Sequence, residues 1–242
     1  MNQLVYLSYG KTEILYECLY SILSLLKHEP DFYKNNKLVV YTDSPEVFNM
    51  IPEYQIEIRQ VNDAIIKKYK GLFNFVFRPK IMMLIDATKG FEGKTLYCDS
   101  DIYFKSAPST LFSKINTETC LMTNYEEIIG SNKHSISRRY LSFMKKESSF
   151  LKQHQIDLKK DTHMWNAGVL GIDSSNVSII QEVLNFTDTV CSKFYSHITE
   201  QLAFSYCLSK YTKIATTEDI TFHYWNFKEY RMVLKDFFEY HK

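Results

Sequence analysis

The chain is expected to fold as an α/β protein, a mostly parallel sheet with helices on both faces. Two observations predict that class. Short apolar, β-prone runs alternate with amphipathic helical runs from Leu4 to Cys98, which is the pattern of βαβ units. The polar groups of this stretch fall at the ends of the β-prone runs, in Ser8-Tyr9-Gly10, Thr42-Asp43 and Asp99-Ser100-Asp101. Open parallel sheets bind ligands beyond the carboxyl ends of their strands, so these groups should gather on one edge. At 242 residues the chain can bury a sizeable core, as one large domain or two small ones.

Leu4 to Ser8 reads as a short apolar strand. Thr12 to Lys27 follows, punctuated by Gly10, with Ile14, Leu15, Cys18, Leu19, Ile22, Leu23 and Leu26 at helical spacing. Lys37 to Tyr41 is a second strand, and Pro45 then opens a short helix with Ser44 as its expected N-cap. Gln55 to Gln60 alternates Ile56 and Ile58 with charge and reads as a third strand. Arg78 to Ala87 is an apolar helix, and Thr95 to Cys98 the next strand. After Phe104 the pattern changes. Pro108 to Phe112 reads as a short helix and Leu121 to Asn124 as a strand. Tyr125 to Thr162 is polar and carries Arg138, Arg139, Lys145, Lys146, Lys159 and Lys160. Those charges read first as solvated surface, and the insertion reads second as a place for an acceptor. Apolar order resumes from Met164 to Asp173. Val177 to Tyr195 and Thr199 to Leu208 are amphipathic helices, Ala215 to Asp219 leads to Thr221 to Trp225, and Lys228 to Tyr240 is a terminal amphipathic helix.

Lys and Arg total 29 against 28 Asp and Glu. That balance argues against a dedicated nucleic-acid binder, which shows a basic excess or face. Cys18, Cys98, Cys120, Cys191 and Cys207 are odd in number, widely spaced and free of C-x-x-C pairs. Reduced thiols in a cytoplasmic protein are the expectation, with neither a zinc site nor a disulfide framework. Met1 to Gly10 has no basic n-region or cleavage site, and no apolar run approaches the roughly 18 residues of a spanning helix. Contact with the inner face of a membrane is left to the basic stretch from Arg138 to Lys160 and to Phe237, Phe238 and Tyr240. Those aromatic residues read first as the core-facing stripe of the terminal helix.

The chemistry starts at Asp99 and Asp101, one residue apart after the apolar run Leu96-Tyr97-Cys98. Side chains i and i+2 of a strand share a face, so the two carboxylates converge if the extended geometry persists. Paired hard oxygen donors suit Mg²⁺ or Mn²⁺, completed by waters and phosphate oxygens. Three later segments join them. Asn166-Ala167-Gly168 precedes a strand, and a glycine there marks a bulge or close approach of a ligand to the backbone. Asn166 offers donor and acceptor groups to sugar hydroxyls, and Glu200-Gln201 pairs an acid with an amide at a helix start. His223 is a competent third metal ligand, with Lys228 beyond it to neutralise a diphosphate. Taken singly, these segments also read as a turn into a core strand, a helix cap and a structural histidine.

Together the segments resemble nucleotide-sugar glycosyltransferases of the GT-A fold, and most closely the family 8-like members. The resemblance implies a single GT-A (Rossmann-like) domain over 1–242, with 1–104 as the nucleotide-binding half and 105–242 as the donor-sugar and acceptor half. It implies that Asp99, Asp101 and His223 hold Mn²⁺ or Mg²⁺. Lys80, with Arg78 as its alternate, lies near the nucleotide; Asn166, Ala167, Gly168, Glu200 and Gln201 lie by the donor sugar. The family pattern after the histidine is not kept, since Asn226 and Glu229 stand where glycine and lysine are expected. Topology adds Tyr6, Ser8 and Asp43 for base and ribose, Tyr9 for stacking on the base, and Ser100 within the acidic turn. The reaction implied is transfer of a hexosyl group from a nucleotide diphosphate sugar, a UDP-sugar by preference, to a glycan or lipid-linked hydroxyl. Retention of configuration is implied too; an inverting course would need a carboxylate base, for which Asp161 and Glu200 are the candidates. Two other classes stand beside this reading: a nucleotidyltransferase, for which Ser8-Tyr9-Gly10-Lys11 is a poor phosphate loop, and a catalytically silent sugar-binding protein on the same fold.

Overall fold

The computed structural model describes residues 1–52, 54–131 and 135–241. In chain order the elements are β1 (Asn2–Leu7), α1 (Thr12–His28), α2 (Phe32–Asn35), β2 (Asn36–Thr42), β3 (Ile56–Gln60), α3 (Asp63–Lys70), α4 (Arg78–Thr88), β4 (Lys94–Cys98) and β5 (Ile102–Phe104). They continue with α5 (Ser109–Lys114), β6 (Thr119–Met122), β7 (Tyr125–Ile128), α6 (Ser135–Lys146), α7 (Ser148–Gln153), β8 (His163–Trp165) and β9 (Val169–Asp173). The last are α8 (Ser178–Cys191), α9 (Thr199–Tyr211), β10 (Lys213–Thr216), β11 (Thr221–His223) and α10 (Glu229–Tyr240).

Seven strands form the central sheet in the order β10-β6-β9-β4-β1-β2-β3. Every pairing is parallel except those of β9, which runs against both β4 and β6. Alternation along the strands divides the core into two layers. Val5, Val39, Tyr97 and Leu170 face one side, with α4, α8 and α9. Leu4, Tyr6, Leu38, Val40, Leu96 and Cys98 face the other, with α1. With both faces of the sheet covered, every side chain of a central strand leaves water, at roughly 25 cal/mol per Å² of apolar area, which is why these strands read as near-continuous apolar runs.

The charges of the polar stretch from Tyr125 to Thr162 (Arg138, Arg139, Lys145, Lys146, Lys159 and Lys160) are exposed as expected, but the stretch is also built of regular elements. It contains β7, which pairs with β8 just beyond it, and the helices α6 and α7. Tyr140, Phe143 and Leu151 from it are buried in the core. The terminal helix packs on α1 by aromatic contact, with the rings of Tyr16 and Phe238 5.2 Å apart. Among the described residues, no helix is long and apolar enough to cross a membrane.

Candidate active site at the carboxyl edge of the sheet

The two aspartates converge by a turn and not by strand alternation, which corrects the expectation. β4 ends at Cys98, and Ser100 and Asp101 form a turn into β5. Asp99 shares the face of Tyr97, whose hydroxyl donates to its Oδ1. Asp101 ends the turn and faces α1 and α10 through Arg231. Cys98 points into the core between them, as its alternation requires.

Two antiparallel pairings bring in the distant partners. β11 pairs with β5 so that His223 stands opposite Ile102, next to Asp101. β9 pairs with β4 so that Val169 stands opposite Cys98, and the Asp99 N–H donates to the Gly168 carbonyl at 2.7 Å. Sequence separations of about 120 and about 70 residues are thereby closed by backbone hydrogen bonds.

Ligand atoms of Asp99, Asp101 and His223 all lie within 4.8 Å of one another. His223 Nε2 is 3.0 Å from Asp101 Oδ1, and its Nδ1 is 2.7 Å from Asn166 Oδ1. The Asn166 amide has one orientation that satisfies its neighbours. Its Nδ2 donates to Glu126 Oε1 at 2.9 Å, and its Oδ1 accepts from the Gly168 N–H at 3.0 Å. The Oδ1 therefore faces the imidazole as an acceptor, so Nδ1 carries a proton and Nε2 is the nitrogen turned towards Asp101. An outer hydrogen-bond acceptor that fixes the tautomer is the usual support of a metal-ligating histidine, and the Asn166 carbonyl oxygen fills that place here. Gly168 supplies the space: a Cβ there would lie 2.4 Å from His223 Nδ1. The close approach expected at this glycine is thus made by the His223 ring.

A buried cation balances part of the charge. Lys80 Nζ lies 3.1 Å from Asp99 Oδ1 and 3.0 Å from Glu200 Oε1, and donates to the Ala167 carbonyl at 3.0 Å. Burial disfavours its ammonium, but Asp99 and Glu200 outweigh burial and hold its pKa above the ordinary value. Burial raises the Glu200 carboxyl against the pull of Lys80. For Asp101 burial pushes upward, while the hydrogen bond and charge of His223, with Arg231, carry the carboxyl below its ordinary value.

These groups line a cavity of about 290 Å³. Its wall carries four carboxylates, from Asp99, Asp101, Glu126 and Glu200, against the one ammonium of Lys80. Two aspartates and an imidazole nitrogen, with a surplus of negative charge, are a donor set that fits Mn²⁺ or Mg²⁺. Asn166, Ala167, Gly168 and Gln201 also line it. The Gln201 amide donates to Glu126 Oε2 at 2.7 Å, so Glu126 is held by two amides at once.

Several expected residues lie elsewhere. Tyr6 is fully buried and its hydroxyl bonds Ser21, because alternation turns it into the α1-side core. Ser8 is buried too and donates to the Ile14 carbonyl. Asp43 accepts from the Gly10 N–H at 3.0 Å, closing two loops at the ends of β1 and β2. Tyr9 stands half-buried beside it, with burial and then Asp43 raising its phenol. Ser100 is buried in the acidic turn. None of these five is among the described residues lining the cavity. Arg78 is committed to a two-pronged ion pair with Asp188 and to the Tyr69 carbonyl, so Lys80 alone of the pair reaches the site. Lys228 is exposed ahead of α10, and Asp161 is exposed as well. Neither lines the cavity.

Three residues were not foreseen. Arg231, one turn past Lys228, donates to the buried Glu17 at 2.8 Å and sits 3.8 Å from Asp101 Oδ2. Glu17 and Glu126 are the others. An acid at position 17 inside the apolar helical run was the one available signal, since a buried charge needs a partner.

No family model matches the sequence, and no curated protein matches it. The fold does match solved structures. One is the apo crystal structure of mouse xyloside xylosyltransferase 1, at a TM-score of 0.56 and 11% sequence identity, covering 90% of this chain and 85% of that one. The mixed sheet with its surrounding helices is a GT-A-like glycosyltransferase fold.

Proposed function

We propose that the chain is a metal-dependent glycosyltransferase. It moves a hexosyl group from a nucleotide diphosphate sugar, a UDP-sugar by preference, to a hydroxyl of a glycan or lipid-linked acceptor, with retention of configuration. The observation that carries this reading is the meeting of Asp99, Asp101 and His223 at the edge where such sheets bind ligands. The order of motifs that resembles family 8-like enzymes supports it further. Asp99, Asp101 and His223 would hold Mn²⁺ or Mg²⁺, which as a Lewis acid offsets charge on the diphosphate. In this reading residues 1–104 serve the nucleotide and 105–242 serve the sugar and acceptor. Five buried free cysteines favour a reducing, cytoplasmic setting.

The protein's own groups divide the work. Lys80 holds Asp99 in place with its ammonium and fixes the Ala167 carbonyl, so the acidic turn and the sugar-side loop move as one unit. Asn166 orients the His223 ring, and Glu126 holds the Asn166 and Gln201 amides, with Gln201 at the cavity wall for a sugar's hydroxyls. Lys80 pairs Glu200, which leaves it poorly placed as a base. Transfer breaks the bond between the anomeric carbon and the diphosphate oxygen, whose electron pair leaves with the diphosphate. The acceptor oxygen forms the new bond to that carbon, and its proton passes to the leaving diphosphate.

The test is UDP release from a panel of UDP-hexoses with Mn²⁺. The neighbour named above is a xylosyltransferase, so UDP-xylose joins the panel. Asp101→Asn should lower the rate by at least about 100-fold. Release that survives this change and EDTA would sink the metal assignment. Pyrophosphate release from a nucleoside triphosphate and a sugar 1-phosphate would favour a nucleotidyltransferase instead.

A further inference from the structure

A second cavity, of about 530 Å³, opens beside the first. Glu126, His197, Ile198 and Trp225 form the wall common to both. A molecule in the second cavity therefore lies against whatever fills the first, with Glu126 between them. The volume is that of a small-molecule site.

The lining states what kind of molecule fits. The buried side chains of Ile129, Tyr140 and Met164 give it an apolar floor. The rings of Trp225, 55% exposed, and Tyr125, 44% exposed and packed edge-on against Trp165, stand at its rim. Flat, half-bare aromatic rings suit a ligand with an apolar face and polar edges. His197 aside, the ionisable side chains of Asp, Glu, Lys and Arg type in the described lining are all of one sign. Glu126 and Glu127 both belong to it, and no Lys or Arg does among the described residues. The Glu126 oxygens each take one amide N–H, and those of Glu127 take the Ser131 and Ser137 hydroxyls. A carboxylate has about four lone-pair sites, so both keep room for further donors. A ligand that donates hydroxyls is welcomed there. A phosphate or carboxylate would meet like charge without a counter-cation, and placing it there costs free energy.

We infer that this second cavity is the acceptor subsite and that it takes an uncharged glycoside, not a sugar phosphate or a lipid pyrophosphate. The inference rests on the transferase reading for the word acceptor; the ligand class rests on the cavity alone. It narrows the glycan or lipid-linked alternatives to acceptors without negative charge near the reacting hydroxyl.

Direct binding tests it without any donor. Phenyl glucoside, galactoside and xyloside are titrated against the matching sugar 1-phosphates by saturation-transfer NMR. At least one phenyl glycoside should bind, and its sugar 1-phosphate at least 10-fold more weakly. Ile136→Trp fills the cavity from α6, and should weaken glycoside binding at least 10-fold while keeping a cooperative melting transition. Should that variant not fold, Tyr125→Ala at the exposed rim should weaken binding in the same direction. Equal or tighter binding of the phosphates, binding untouched by a folded variant, or no binding across the panel would each overturn the inference. Thermal stabilisation by UDP and Mn²⁺ reads the transferase assignment separately. A protein that binds phenyl glycosides but no nucleotide would refute the assignment and leave the ligand class of the cavity standing.

Discussion

Replacing Gly168 by alanine isolates the support of the metal site in one methyl group. The added Cβ would lie 2.4 Å from His223 Nδ1 and 2.5 Å from Cε1, whereas ordinary contact begins at 3.4 Å. The imidazole must retreat by about 1 Å, the difference between those distances. Its 2.7 Å bond to Asn166 and its 3.0 Å approach to Asp101 then fail together. Backbone strain is not part of the perturbation, because Gly168 is not in the left-handed region. Loss of such outer support typically lowers metal affinity about 10–100-fold, or roughly 1.4–2.7 kcal/mol. Overpacking adds about 1–3 kcal/mol of instability. The assay is a calorimetric Mn²⁺ titration in the presence of UDP, beside the Mn²⁺ dependence of UDP release. A double-mutant cycle sharpens it: with His223→Ala already made, the methyl has no ring to displace, so the effects on metal binding should be far from additive. An unchanged Mn²⁺ affinity in folded Gly168→Ala would refute the reasoning, as would full additivity.

Three further outcomes follow from the ion pairs. Lys80→Met leaves Asp99 and Glu200 without their buried partner, so it should cost about 3–5 kcal/mol in a denaturant titration, part of it regained on adding Mn²⁺. A loss below about 1 kcal/mol would show that the pair is not buried as described. Arg78→Gln breaks the pair with Asp188 and should cost about 1.5–3 kcal/mol while leaving stabilisation by UDP intact, since Arg78 lies off the cavity. Burial pushes the Glu17 carboxyl up to about 7 from its ordinary 4.5, against the pull of Arg231. The folded chain then holds a proton that the unfolded chain releases, so this contribution is complete at low pH and is lost as pH rises from about 4.5 through 7. Glu17→Gln should flatten the fall in melting temperature across that window, and an identical slope would count against the shift.

The alternation of apolar runs exposed the first half of the fold because burial on both faces writes itself into local composition. α1 and α4 were legible from spacing, and β1, β2 and β4 from short β-prone runs. Strand direction was not legible: a buried apolar run such as Val169–Asp173 reads the same either way, so the reversal of β9 emerges only from its pairing. α6 hid because its apolar residues, Ile136, Tyr140 and Phe143, sit among Arg138, Arg139, Lys145 and Lys146. At the site, residue types with metal chemistry stood out, so Asp99, Asp101 and His223 were found. The supporting partners were not, because an ion pair such as Arg231 with Glu17 joins residues more than two hundred positions apart. Lys228 was expected to neutralise a diphosphate, and the structure leaves it exposed just ahead of α10, off the cavity. The nucleotide side showed the opposite error. Tyr6 and Ser8 lie at a strand end as expected, but their side chains turn inward, and position along a strand alone does not give the face.

The central claim is that Asp99, Asp101 and His223 join a divalent cation to a nucleotide diphosphate. Melting temperature with UDP, GDP or CMP, each with and without Mn²⁺, tests it most directly. The account predicts a rise with a nucleoside diphosphate, largest with UDP, that requires Mn²⁺ and disappears in Asp101→Asn. No rise with any nucleotide, or a rise indifferent to both Mn²⁺ and Asp101, would contradict it.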